Sequence, residues 1–260
     1  MSSSWSGNQA AQDNLDDPHR NRILAATSRD DYEIVADTLD WLQHVVMGLN
    51  LCPFAKPSFS KDQIQIEVEH GENPTDILAR VVEECFKLKR DDAEGTTLVV
   101  CPDLFPDDFE EFLGILNVLE EGILEDLDLT GVLQIAPFHP RFVFGDQKEL
   151  DGDKDTIESY TNRAPYPIFH ILREVEVAKA VEALEGDASK VWQRNIELLR
   201  SLEDEFSVDL EDGNKLGTDL VRSIILKGKI NGHVQNEATR GDLRKRIQRV
   251  MKKLKLQRLA

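Results

Sequence analysis

The sequence predicts an α/β or α+β fold, a small parallel or mixed sheet of about three or more strands covered by helices, with a helical C-terminal extension. Two observations predict it. Three short runs, "QIQIEVE" at 63–69, "TTLVVC" at 96–101 and "GVLQIAPF" at 131–138, alternate or are rich in β-branched residues, as strands are. Between them lie amphipathic stretches of the length that carries a chain across a sheet to its next strand.

Each element follows in order. Residues 1–30 are polar and without a period, so they are expected to lack structure. From near Asp31, the residues Val35, Leu39, Leu42, Val45, Val46 and Leu49 share one helical face, and the helix ends at "GLN". After the first strand comes "ENPTDILARVVEECFKLKR", a helix capped by Asn73 with Pro74 in its first turn. After the second, Phe109, Phe112, Leu116, Leu119 and Ile123 form one stripe. A polar loop at 145–159 then leads to helices over about 168–185 and 187–203, the first opened by Pro167. Residues 31–205 make one domain; 206–260 form an extension whose basic end carries Ile247, Val250 and Leu254 on one side.

Composition narrows the class. At 40% hydrophobic and 31% charged the chain reads as soluble, and no apolar run approaches the roughly 20 residues of a membrane span. The first residues carry neither a secretory nor a transit pattern, so a cytoplasmic location is expected. Cys52, Cys85 and Cys101 are too few and too scattered for a disulfide framework. The net charge of −18 is uneven, because residues 240–260 hold nine Lys or Arg against Asp242 alone. Such a body repels nucleic acid, and only the tail is suited to phosphates, anionic lipid or the protein's own acidic surface.

Three segments carry groups that a plain core does not need. In "GLNLCPFAKP", Cys52 follows the end of a helix, as a nucleophile, a metal ligand or a small buried hydrophobe. In "APFHPRFVF", His139 and Arg141 lie beyond the C-terminal end of the third strand, where open parallel sheets bind ligands. In "YTNRAPYPIFHILRE", a helix entered at Pro167 places His170 near its positive end, with Arg173 and Glu174 on the same face. Asn162 and Arg163 precede that entrance and would attract a carboxylate or phosphate, with Tyr160 and Tyr166 as walls. In "WQRNIELLRSL", Trp192 and Ile196 read as core, and Arg194 as a further anion contact or, more commonly for such a residue, an exposed helical arginine.

Together "GLNLCPFA", "QIAPFHPRFVF", "YTNRAPYPIFHILRE" and "RNIELL" resemble the signature segments of the family catalogued as domain of unknown function 1415, from about Asp40 to Leu202. The resemblance implies a single small domain and lends no activity. It differs from the family pattern at Cys101-Pro102, where a His-Pro is expected, and the basic tail lies beyond it.

The expectation is a small-molecule site in which Cys52, His139 and His170 meet, with Glu174 orienting His170 and with Arg141, Arg163 and Arg173 gripping an anionic substrate. Two chemistries fit: a Cys52 thiolate in acyl transfer or hydrolysis, or a zinc held by Cys52, His139 and His170 with an open position for water. The rival is a non-enzymatic interaction module that uses the proline and aromatic surface and the basic C-terminal helix.

Overall fold

The structure, a computed structural model, describes residues 17–207 except 91, 146–156, 185 and 188, together with 245 and 249. Most of the expected loop at 145–159 and nearly all of the extension at 206–260 lie outside the described residues.

Four strands make one mixed sheet in the order β1-β2-β4-β3. The predicted strands are β1 (Ile64–Val68), β2 (Thr96–Val100) and β3 (Leu133–Phe138). The fourth, β4 (Ile168–Arg173), lies between β2 and β3 and is antiparallel to both, whereas β1 and β2 are parallel. This corrects the sequence reading, which starts a helix at 168. A central strand is covered on both faces and reads as a continuous apolar run, "IFHIL", without alternation. Because it runs straight into a helix at Glu174, Ile168, Leu172 and Val175 fall at helical spacing by accident.

The helices begin with α1 (Pro18–Ala26), inside the stretch expected to lack structure. Asp17 caps it by accepting from the N–H groups of His19 and Arg20, and Pro18 occupies the first turn. Arg20 is buried there, ion-paired with Asp40 at 2.8 Å and bonded to Gln43 at 3.0 Å. The helix α2 (Tyr32–Trp41) then widens into a π turn at Leu42–Val46. Gly48 follows because any Cβ there would lie 2.2 Å from the His44 carbonyl oxygen. A short α3 (Ala55–Ser60) precedes β1, and α4 (Pro74–Lys89) is capped by Asn73 as predicted. The helix α5 (Phe109–Val118) passes through a second π turn, Leu119–Ile123, into α6 (Leu124–Asp126). A 3-10 turn at Ile157–Asn162 leads into β4, and α7 (Glu174–Ala183) and α8 (Ser189–Ser207) follow.

Alternate residues of each strand face opposite sides of the sheet. On the first side α2 and α8 bury Val35, Leu39, Leu198 and Leu202 against Ile64, Leu98, Val100 and Ile168. On the second side α4 and α5 bury Val81, Cys85, Phe112 and Leu116 against Val99, Ile135, Phe169 and Ile171. No described helix is long and apolar enough to cross a membrane.

Candidate functional site

The first side of the sheet holds the candidate site. Trp41, the last residue of α2, packs edge-on against Phe138 with ring centroids 5.2 Å apart, and its Nε1 donates to the Arg163 carbonyl at 3.1 Å. The chain after the π turn folds back through Asn50, in the left-handed region at φ 53°, and delivers Cys52 beside these rings.

Two adjacent residues of α8 hold that turn in place. Asn195 Nδ2 donates to the Leu51 carbonyl at 2.7 Å, and Arg194 Nη2 donates to the Asn50 carbonyl. Arg194 Nε and Nη2 also donate to Asn195 Oδ1, at 3.3 and 2.9 Å, so the pair acts as one clamp. Arg194 is only 7% exposed, against the expectation of a surface arginine, and its Nη1 has no hydrogen-bond partner.

The third wall comes from the 3-10 turn. Thr161 Oγ1 donates to the Glu158 carbonyl at 2.9 Å, and the Asn162 carbonyl accepts the His139 N–H at 3.2 Å. Arg163 is buried, with Nε donating to the Phe142 carbonyl at 3.1 Å and its guanidinium 4.2 Å above the Tyr160 ring. Together these elements line a half-open cavity of about 250 Å³, walled by Trp41, Phe138 and Trp192 and edged by Cys52, Asn162, Arg163 and Asn195. Among the described residues no Asp or Glu lines it.

Cys52 is partly exposed, while Cys85 and Cys101 are buried. Burial pushes the Cys52 thiol above its ordinary value; the N–H groups of Phe54 and Ala55 and the Arg194 charge pull the other way. Among the described residues no imidazole is hydrogen-bonded to it.

The other predicted residues are dispersed. His139 packs against Phe109 and Phe112 on the second side, with ring centroids 5.3 and 5.1 Å away. Its Nδ1 accepts the Arg141 N–H at 3.0 Å, so its Nε2 must carry the proton donated to the Phe105 carbonyl at 2.9 Å. Both nitrogens are used. Burial lowers its pKa, so it stays neutral.

His170 faces the first side from the middle of β4, flanked across the ladder by Leu98 and Ala136, with its ring 6.0 Å from Phe138. Thr96 Oγ1 gives its own proton to the Ile171 carbonyl, so it accepts from His170 Nε2 at 2.7 Å, and the tautomer is fixed. Burial brings the His170 pKa down to about 4. It is neutral through burial, and no helix N-terminus lies beside it.

Glu174 opens α7, its N–H donating to the Val132 carbonyl at 2.9 Å. Arg173 donates to the Ala93 carbonyl and pairs with Glu176 at 3.5 Å. Arg141 is mostly exposed, 3.8 Å from Asp107. Tyr160 is buried beneath Arg163, and Tyr166 donates to Asp37 at 3.2 Å. The zinc expectation is corrected by placement: Cys52 and His139 belong to opposite sides of the sheet, and among the described residues no three His, Cys, Asp or Glu side chains are grouped to hold a metal ion. The helix entrance expected after Asn162 is replaced by a strand, into which Pro167 leads.

The profile of a family described as a protein of unknown function (DUF1415) matches residues 33–208. The chain belongs to that family. No curated protein and no solved structure matches it. In this DUF1415 domain, residues from all four segments that carried the resemblance line the cavity: Cys52, Phe138, Asn162 with Arg163, and Asn195. Sequence reasoning missed Trp41, Trp192 and Asn195. Trp192 reads as core but is 48% exposed at the rim, and nothing local in the sequence joins Asn195 to Leu51.

Proposed function

We propose that this domain binds a small molecule with a flat, apolar body in the cavity beside Cys52. The observation that carries the reading is convergence: four segments, separated by as much as 143 positions between Cys52 and Asn195, supply the walls of one cavity. Aromatic walls with a few fixed polar groups are the usual make-up of a small-molecule pocket. Trp41, Phe138 and Trp192 would hold the body of the ligand, and the Asn162 and Asn195 amides its polar edge. Thiolate chemistry is not part of the reading, because burial favours the protonated thiol and no imidazole is bonded to it.

Cys52 gives a direct test, because it is the single thiol of the three that is not fully buried. Fragments that quench tryptophan emission should slow maleimide labelling of Cys52, measured by peptide mass spectrometry. Trp192→Ala should weaken both effects by about tenfold while leaving the melting temperature nearly unchanged. Fragments that quench without protecting Cys52 would place binding elsewhere and sink the reading.

A further inference from the structure

Charge is divided unevenly along this chain. No Lys or Arg stands between Arg90 and Arg141, a span that includes β2, α5, the second π turn, α6 and β3. Residues 240–260 hold the opposite excess. An acidic body receives such a segment best where its carboxylates lack cations of their own.

Elsewhere the carboxylates are engaged. On the first side Asp31 pairs with His70, Asp40 with Arg20, and Asp37 accepts from Tyr166. On α4, Glu83 and Glu84 are shared between Arg80 and Lys87. The outer face of α5 and its continuation differs. There Glu111, Glu120, Glu121, Glu125, Asp126 and Asp128 are exposed, and among the described residues none of them makes an ion pair. Burial, and after it the charge of Glu121, pushes the Glu120 carboxyl up, as happens where carboxylates crowd together.

The middle of that face is apolar. Gly114 is exposed, and a Cβ there would meet nothing within 4 Å; Val118, one turn on, is 48% exposed. A glycine in mid-helix costs stability, and where no neighbour demands it, it leaves the backbone open to close approach from outside. Segment 240–260 has the complementary pattern. At helical spacing Leu243, Ile247, Val250 and Leu254 share one face, with Arg246 and Lys253 along one flank and Arg244 and Lys255 along the other. Lys245 and Arg249, the two residues of it that the structure describes, are helical and exposed, and the same spacing puts them behind the stripe.

We propose that the outer face of α5 and the π turn after it is the docking site of the chain's own basic segment, with Ile247, Val250 and Leu254 over Gly114 and Val118 and the flanking cations against Glu111, Glu121 and Glu125. The proposal is independent of the pocket reading. The helix α8 ends at Ser207 on the first side, and residues 208–239 can extend to roughly 100 Å, ample to pass round a domain about 40 Å across. The tether holds the segment at a local concentration on the order of millimolar, which favours the chain's own face over that of a second copy.

Two measurements on the full chain test it. Carbodiimide coupling at low salt, mapped by peptide mass spectrometry, should join Lys253 and Lys255 to Glu111, Glu121 and Glu125 within one chain, as an isotope-mixed sample distinguishes. Links to the exposed Asp30 and Glu33 of the first side should form at about tenfold lower yield. Limited trypsin cleavage within 240–260 should speed up about tenfold in the triple variant Glu111→Gln, Glu121→Gln, Glu125→Gln, in Val250→Asp, and in wild type at high salt. The triple variant changes only exposed side chains, so its melting temperature should stay at the wild-type value. Cleavage equally fast in wild type and both variants would mark a segment free for an outside anion, a lipid surface or a nucleic acid, and overturn the proposal. Links spread evenly over both sides of the sheet, or formed mainly between chains, would overturn it as well.

Discussion

The two sides of the sheet bury comparable apolar layers but treat polar groups differently. On the second side His139 is locked, both ring nitrogens bonded to backbone within a ring of phenylalanines. On the first side Arg20, Gln43, Arg163, Arg194 and Asn195 are all buried, and one donor, Arg194 Nη1, is left unmade. Buried polar groups are ordinarily satisfied, and among the described residues each side leaves one donor unmade: Arg80 Nε in α4 on the second side, beside three glutamates, and Arg194 Nη1 on the first, beside neutral oxygens. The cavity opens on the first side alone among the described residues, and there the buried polar groups hold the turn that carries Cys52.

The largest effect should come from breaking the second side. Phe112 is fully buried and stacks on Phe169 at 4.6 Å, so Phe112→Ala should cost about 3–5 kcal/mol in urea unfolding. Maleimide labelling of Cys52 in the folded fraction should not change; if it accelerates, the two sides are coupled and the contrast fails.

Acid should act on the first side. His170 stays neutral in the fold down to about 4, whereas in the unfolded chain it takes a proton near its ordinary 6.5. Its contribution is therefore whole above 6.5 and is lost as pH falls towards 4, by at most about 3 kcal/mol. The slope of unfolding free energy between those values should be steeper in wild type than in His170→Asn; equal slopes would remove His170 from the argument.

Next, Asn195→Ala removes the bond to the Leu51 carbonyl and strips Arg194 of its amide partner. A loss of about 1–3 kcal/mol is expected, and labelling of Cys52 should speed up because its turn is released. Loss of stability with unchanged labelling would show that the clamp does not control the thiol.

The smallest effect comes from an exposed contact just after β1, away from the cavity. His70 donates to Asp103 at 2.9 Å and to Asp31, beside the start of α2, at 2.8 Å, which only the imidazolium can do. Asp103, then Asp31, hold its pKa above the ordinary value. The clasp is present below pH 6.5 and opens as pH rises through that raised value. At half exposure the gain is modest, so the melting temperature should drift down slightly between pH 7 and 9 in wild type and stay level in His70→Gln.

How far the sequence foretold these features depends on the range of the contacts involved. The strands β1, β2 and β3, the cap at Asn73 and the stripe from Phe109 to Ile123 rest on local spacing, and each was legible. The strand β4 was hidden because burial on both faces erases alternation, and the helix at Glu174 supplied a false period. In the cavity, Cys52, Asn162 and Arg163 stood out by residue type. The burial of Arg194 depends on a turn 144 positions away, with no trace in its own helix.

The placement of β4 has a consequence for how the chain is made. The strand that joins β2 to β3 is the last of the four to leave the ribosome, after β1, β2 and β3 have all emerged. Until Ile168 is synthesised, the inner edges of β2 and β3 have no ladder partner, and unpaired edges invite pairing with other chains. Any fragment ending short of Arg173 carries those two open edges with it, so a nick or a premature stop in this region yields an aggregation-prone product rather than a smaller stable domain.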